Sequence, residues 1–353
     1  MKKSIVIFLV VCLSVIFGCK NIEYSDEVAY DISNEQTKDV QLLLAKTRVL
    51  LPCELETSQI GIAVESQINS LMTKRSISIG RTVLASENAI EMRDLKEILE
   101  DKIDAVDVPD LLLLEEDDIK KIKSVFIDLE EEEIVENIGT ITSIYQNMVT
   151  VLSANEISKQ ENTFSREIGY SDGAFYKDND VVTWEELGAV FKHPFSAVGL
   201  MDQRDKAYEL TKKYYQDDFD SVNNKADAFR HSIWNVVMAK EGWGLKGEKL
   251  AWARDFSTAH EKGVKYNGNA SEMDLHNNAV GRHLYDLGSS KKYKKILWWK
   301  FEVGVYENSY EYFCNQIYQK AEDAQFVDKN LENTIFIEEC SKISNSELVY
   351  IEE

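Results

Sequence analysis

The chain has 353 residues and carries 62 acidic against 40 basic side chains, a formal net charge of −22. A chain this acidic does not look like a nucleic-acid binder, which needs a basic face, so no nucleic acid is expected as partner. It also argues against adsorption to anionic lipid through bulk surface charge. With 44% hydrophobic and 10% aromatic residues but only three prolines and 16 glycines, the composition favours a packed, mainly α fold with long helices.

At the N-terminus, Lys2 and Lys3 precede an apolar run from Ile5 to Phe17, which is too short to span a bilayer comfortably and reads as a targeting segment. It ends in Ile16-Phe17-Gly18-Cys19, which resembles a bacterial lipobox. The resemblance implies a signal peptide over residues 1–18 and a lipid on Cys19. It also implies attachment to a membrane of the bacterial cell envelope, at the outer membrane or cell surface. Residues 19–36 are polar and acidic, a tether. Leu42 to Leu51 reads as a short apolar helix stopped at Pro52, and Ser58 to Ile79, of mixed apolar spacing, is expected to pair with it. The cysteines are Cys12, Cys19, Cys53, Cys314 and Cys340, and no C-x-x-C spacing occurs, which excludes a zinc ribbon. Cys314 and Cys340 are either a disulfide or buried free thiols.

Residues 37–161 form a helical accessory region, a spacer without visible chemistry. Glu87 to Ile157 reads mostly helical and acidic, interrupted by Pro109 and the apolar run Leu111 to Leu114. Ile119, Ile122, Val125, Phe126 and Leu129 repeat at helical spacing. Glu130 to Glu133 lack the alternating carboxylates and turn glycine of a calcium loop and read as a solvated helix face. Ser153-Ala154-Asn155-Glu156 is expected to open a helix as a capping box.

A polar stretch from Asn162 to Asp180 separates this region from a C-terminal helical domain, residues 162–353. Thr183-Trp184-Glu185-Glu186 is a second capping box, and its helix stops at His193-Pro194. Ala197 to Tyr215 is the next helix. Beyond residue 283, Lys291, Lys292, Lys294 and Lys295 read as a solvated helix face. Ile296 to Lys320, rich in aromatics, reads as a packed helix. Thr334 to Ile337 and Leu348 to Ile351 predict a short terminal β-hairpin.

Chemistry concentrates between Asp227 and His283, which hold four of the five histidines: His231, His260, His276 and His283. Capped by Asn223 or Asn224, a helix to about Lys240 stacks Asp227, His231 and Asn235 on one face at i, i+4 and i+8. Phe229, Ile233, Val236 and Val237 give it an apolar side. Gly247 to Glu261 is a second helix, with His260 on the inward stripe of Leu250, Ala253 and Phe256 and with Glu261 beside it. Val264 occupies the position where a zinc-protease H-E-x-x-H motif needs histidine, so that comparison fails. Ser271-Glu272-Met273-Asp274 is expected to cap a third helix, whose face carries Asp274, Asn277, Asn278 and Gly281. His276 and His283 point elsewhere. Arg282 is a candidate for an anionic group.

These pieces carry a family resemblance. W-E-E-L with F-K-H-P, D-A-F-R-H-x-x-W-N, F-x-x-A-H-E and M-D-L-x-N-N-x-x-G-R stand in order between Thr183 and Arg282. In this the segment resembles a bacterial and phage family known as domain of unknown function 6973. The resemblance implies weight on Asp227, Arg230, His231, Trp234, Asn235, His260, Glu261, Asp274, Asn277, Asn278, Gly281 and Arg282, and no particular reaction.

Two functions of different class are compatible with this pattern. In the first, His231, His260, Glu261 and Asp274 are the catalytic residues of a hydrolase. They either bind a divalent metal ion that activates water or act without metal, with a histidine as general base and carboxamides at the oxyanion. Asp227, Arg230, Asn235, Asn277, Asn278 and Arg282 are then binding residues. In the second, the chain is a non-catalytic surface lipoprotein, and the polar cluster is a hydrogen-bond network that fixes helix packing.

Overall fold

In this computed structural model the described residues are 89–126, 129–159, 181–262, 266–296, 299–344 and 346–351. The targeting segment, Cys19, the tether, the short helix expected over Leu42 to Leu51, the segment Ser58 to Ile79 and Cys53 lie outside them. Among the described residues no helix is long and apolar enough to cross a membrane.

The protein is mainly α, and its described residues form only small two-stranded sheets. The chain divides into two compact units, one comprising Ala105–Met148 among the described residues, the other the remainder. Their elements begin with β1 (Ala89–Glu91), α1 (Met92–Val106), α2 (Glu116–Val125), α3 (Glu131–Glu136) and α4 (Ile138–Lys159). In the first unit Ile122, Phe126, Ile134, Ile141 and Tyr145 are buried. The acidic runs lie exposed and also cap: Asp118 accepts from the backbone N–H of Glu115 at 3.1 Å, and Glu133 from that of Glu130 at 2.8 Å. Ser153 opens no helix. It is buried inside α4, whose apolar spacing continues on both sides of it and overrides the local box.

The second unit continues with β2 (Val181–Thr183), antiparallel to β1, and then α5 (Trp184–Lys192), α6 (Pro194–Ala197) and α7 (Leu200–Tyr215). Three helices follow that carry the polar residues: α8 (Lys225–Glu241), α9 (Lys246–Lys262) and α10 (Asn269–Leu287). Every side chain of α8 from Ala226 to Ala239 is buried, so α8 is the axis of the unit. Each large apolar side chain there, such as Phe229 or Trp234, contributes about 1.5–3 kcal/mol by leaving water. α10 lies against α8 at backbone distance: a Cβ on Gly281 would stand 2.1 Å from the carbonyl oxygen of Ser232.

From residue 288 onward the structure departs from the sequence reading. Lys291, Lys292, Lys294 and Lys295 are not on a helix but on β3 (Ser289–Ile296), which pairs antiparallel with β4 (Trp299–Glu307). The expected long helix from Ile296 is therefore strand first and helix second. Asn308 and Ser309 break it, and Ser309 caps α11 (Tyr310–Glu322) by accepting from the N–H of Tyr312 at 3.2 Å. A register shift after Lys292 is accommodated by Gly304, whose φ of 148° suits a residue without Cβ. The base of the ribbon is anchored by Glu307, which takes Lys240 at 3.0 Å and Lys249 at 3.2 Å.

The terminal hairpin is not formed either. Thr334 to Ile337 belong to α12 (Asn333–Lys342), because Phe336 and Cys340 at i, i+4 are both buried and the helical period outweighs β propensity. β5 (Gln325–Phe326) pairs in parallel with β6 (Val349–Tyr350). Cys314 and Cys340 are free and buried, so the disulfide alternative is not realised; burial pushes each thiol up to about 11.

Alanine is favoured over glycine inside a helix by about 1 kcal/mol. For Gly281→Ala the contact with Ser232 should reverse that sign, giving a net loss of about 1–3 kcal/mol in urea unfolding. Gly247→Ala, where a Cβ meets open space, serves as control and should be neutral or stabilising. A neutral Gly281→Ala would show that α8 and α10 do not touch there.

Candidate functional site

The site is built outward from α8. Asn224 caps it, its side-chain oxygen accepting from the N–H of Asp227 at 3.1 Å. The Asp227 carboxylate accepts from the N–H of Asn223 at 2.6 Å and from the Arg230 guanidinium. Arg230 also donates to the carbonyls of Phe219 at 2.8 Å and Ser221 at 3.0 Å. Asp227 and Arg230 thus bind the loop that leads into the helix. Burial works against ionisation of Asp227, but the charges of Arg230 and His231 outweigh it and hold its carboxyl below the ordinary range.

One turn on, His231 is surrounded by acids. Its Nε2 lies 3.3 Å from Asp227 Oδ1 and 3.3 Å from Asp274 Oδ1, and its Nδ1 lies 3.4 Å from Glu261 Oε1. Burial pulls the imidazole down, yet the charges of Asp274 and Asp227 hold it well above its usual value. Asp274 moves upward as well, through burial and through repulsion from Glu261 and Asp227, against the attraction of His231. Its Oδ1 is buried without a hydrogen-bond partner. A buried carboxyl oxygen that lies near the His231 ring yet makes no hydrogen bond is costly.

The capping role expected of Ser271 to Asp274 is not the one observed. α10 starts earlier, after Gly268 at φ 54°, and Ser271 Oγ accepts from the N–H of Asn267 at 2.9 Å. Asp274 is left inside the helix and turned toward His231.

The carboxamides divide between two tasks. Asn235 donates to Asn278 Oδ1 at 2.6 Å and accepts from Ser257 at 3.0 Å and Arg282 at 2.7 Å; Asn278 in turn donates to Glu261 at 3.3 Å. Asn277 turns away and holds β6, donating to the Val349 carbonyl at 2.9 Å and accepting from its N–H at 3.0 Å. Burial, with the charge of Arg254, brings Arg282 down to about 10, still cationic at neutral pH.

His260 is inward-facing and buried as its stripe implies, but its partner comes from another helix. Its Nδ1 lies 2.6 Å from Glu186 Oε1, while Glu186 Oε2 accepts from the N–H of Thr183 at 2.6 Å. Trp234 packs edge-on against the His260 ring, with centroids 5.4 Å apart. His276 faces away, with Nε2 2.9 Å from the carbonyl of Glu347.

Of the four residues read as catalytic and metal-binding, the structure gathers His231, Glu261 and Asp274 and adds Asp227; it gives His260 to Glu186. One oxygen each of Asp227 and Asp274 and one His231 nitrogen lie within 4.8 Å of one another, the geometry of a three-donor metal site. Glu186 and Ser257 are the residues that sequence reasoning missed. Glu186 was visible only as the end of a capping box, and nothing local shows that its second oxygen meets a histidine. Ser257 precedes His260 by three residues, a spacing that places both on one face.

A mainly helical unit with a buried His/Asp/Glu/Asn cluster at its axis is the setting in which the comparisons fall. Residues 187–303 match the family model described as domain of unknown function (DUF6973), and this chain carries a domain of that family. The match runs from α5 into β4 and includes all three site helices. No curated protein matches the sequence.

Asn277→Ala should behave as a structural substitution. It removes the partners of two Val349 backbone groups, and a loss of about 2–5 kcal/mol is expected, read as a lower denaturation midpoint. A variant as stable as the parent would detach β6 from α10.

Proposed function

We propose that the helical domain is a divalent-metal-dependent hydrolase whose ion is held by Asp227, His231 and Asp274, in a chain anchored to the bacterial cell envelope by a lipid on Cys19. The observation that carries the metal reading is the disposition of His231. One ring nitrogen faces two aspartate oxygens and the other faces Glu261. Metal-binding histidines characteristically have a carboxylate behind the second nitrogen, fixing the tautomer and raising basicity. The donors are mixed oxygen and nitrogen, suited to zinc, manganese or iron. With the imidazole neutral, the carboxylates of Asp227, Glu261 and Asp274 against Arg230 leave two negative charges, which a divalent ion neutralises.

Three protein donors leave positions for water, and a bound metal lowers the pKa of such a water toward about 7 and polarises a carbonyl or phosphoryl oxygen. Arg282, cationic and held by Asn235 and Ser257, is placed one turn beyond Asn278 on α10 to receive an anionic part of a substrate. At the envelope the substrates in reach are phospholipid, peptidoglycan and other esters or amides. His260, taken up by Glu186, is outside the donor set.

The second reading, a purely structural network, is favoured by the way Asn235, Asn278 and Ser257 satisfy one another. Asp274→Asn separates the two. After chelator treatment, zinc or manganese should raise the melting temperature of the parent, corresponding to about 2.7 kcal/mol at a hundredfold excess over Kd. Asp274→Asn should lose that rise while being at least as stable as the metal-free parent, because it removes one of three crowded carboxylates. Loss of about 1–3 kcal/mol in the metal-free variant, with no metal effect in the parent, favours the network and removes the hydrolase. The anchor is tested separately: Cys19→Ala should abolish incorporation of labelled palmitate in a bacterial host, and retained label would remove Cys19 from the reading.

A further inference from the structure

Arg282 is a cation held by neutral groups. On α10 it follows Asp274 and Asn278 at steps of four, so the three share a face. One nitrogen makes its contacts: Nη1 donates to Asn235 Oδ1 at 2.7 Å and to Ser257 Oγ at 3.0 Å. Among the described residues no carboxylate stands within ion-pair distance of the guanidinium, although the chain has 62 acidic residues. The side chain is half-buried, and an arginine so placed ordinarily has an acid as partner. Nε and Nη2 make no hydrogen bond to the described residues. Together they form an edge of the guanidinium fork that can meet an oxyanion with two parallel hydrogen bonds.

The acid whose charge reaches Arg282 is already engaged. Asp255 Oδ1 takes Nε and Nη2 of Arg254, both at 2.8 Å, and its Oδ2 lies 3.1 Å from His193 Nε2. Arg254 stands one turn before Ser257 on α9, and its charge works against that of Arg282. Two guanidinium groups thus share one carboxylate, and the surplus is positive. Across Asn235 and Asn278 the balance is reversed, for there Asp227, Glu261 and Asp274 crowd His231. The two carboxamides are wholly buried and form the layer between, Asn278 bonded to Glu261 and Asn235 to Arg282. The polar core therefore has an acidic end, suited to a cation, and a basic end, suited to an anion.

We infer that the Nε–Nη2 edge of Arg282 is a subsite for a terminal phosphate group. A carboxylate spends both oxygens on the fork, whereas a phosphate monoester keeps a third to turn toward Arg254, and its second charge meets the positive surplus. The inference deepens the hydrolase reading and rests on it for the identity of the ligand as substrate. On that reading the phosphate is a handle and not the group that is cut, because the carboxamide layer separates it from Asp227, His231 and Asp274. The substrate class is then an ester or amide that carries a phosphate monoester away from the bond hydrolysed.

The full chain is stripped of metal with a chelator, and inorganic phosphate is titrated calorimetrically at physiological ionic strength, with acetate as comparator. The parent should bind phosphate saturably, and acetate at least about tenfold more weakly. Arg282→Lys keeps a point charge but loses the fork and should weaken phosphate by about tenfold or more. Arg254→Ala, at a side chain 61% exposed, should weaken it severalfold, and Arg282→Gln should abolish it. Melting temperatures without phosphate report whether each variant folds. If Arg282→Gln does not, the other two decide, and parental affinity in both overturns the assignment. Absence of saturable binding in the parent overturns it, as does acetate bound as tightly as phosphate. The two readings fail separately. Phosphate bound by a chain whose melting temperature ignores zinc and manganese removes the hydrolase and leaves the subsite. A metal response without phosphate binding removes the subsite alone.

Discussion

A helix that is buried on every side has no solvent face on which to place its polar residues. α8 is such a helix from Ala226 to Ala239, and it nevertheless carries Asp227, Arg230, His231, Ser232 and Asn235. Each must be satisfied by protein, because a buried polar group without a partner costs about 1–3 kcal/mol. The surrounding elements are arranged accordingly. The preceding loop supplies carbonyls to Arg230, α9 supplies Glu261 and Ser257, and α10 supplies Asn278, Arg282 and the Asn277 carbonyl that accepts from Ser232 at 2.9 Å. The glycine at position 281 lets α10 come near enough for these short side chains to meet.

Within this saturated network one place is out of balance. Three carboxylates converge on His231, and Asp274 retains a buried oxygen without a hydrogen bond. Natural cores tolerate such conflict where function needs it and rarely elsewhere. Asn277, one turn away on the same helix, is fully used by a strand, whereas Asp274 keeps one buried oxygen outside any hydrogen bond.

The helices around the site were legible because their signals are local and strong. Thr183 with Glu186, Asn224 before Asp227, and the proline after His193 each mark a boundary through one or two hydrogen bonds or a steric restriction. The i, i+4 spacing also placed Asp227 and His231 together. What was not legible depends on distant contacts. Glu186 pairs with His260 across 74 residues of sequence, and no periodicity reports that. The start of α10 was misread because Ser271 and Asp274 have the residue types of a capping box while Gly268 and Asn267 determine the actual turn. The lysine ribbon and α12 were misread in opposite directions. In both, short segments of mixed propensity take the form their burial requires: Phe336 and Cys340 need a helix to share a face, and Lys291 to Lys295 have no apolar face to present to a core.

The bond between Asn277 and Val349 has a counterpart in the N–H of Ile351, which donates to the carbonyl of Asn223 at 2.9 Å. The strand β6 therefore grips both α10, which bears Asp274, and the turn whose N–H holds Asp227. On a ribosome, α8, α9 and α10 emerge well before β6. A nascent chain that has released Leu287 but not Val349 has Asp227, His231 and Asp274 without the clasp on Asn277 and Asn223. Assembly of the polar cluster is thus a late event in biosynthesis, and a chain stalled or clipped upstream of Leu348 would carry Asp227, His231 and Asp274 but not the strand that ties their turn and helix together.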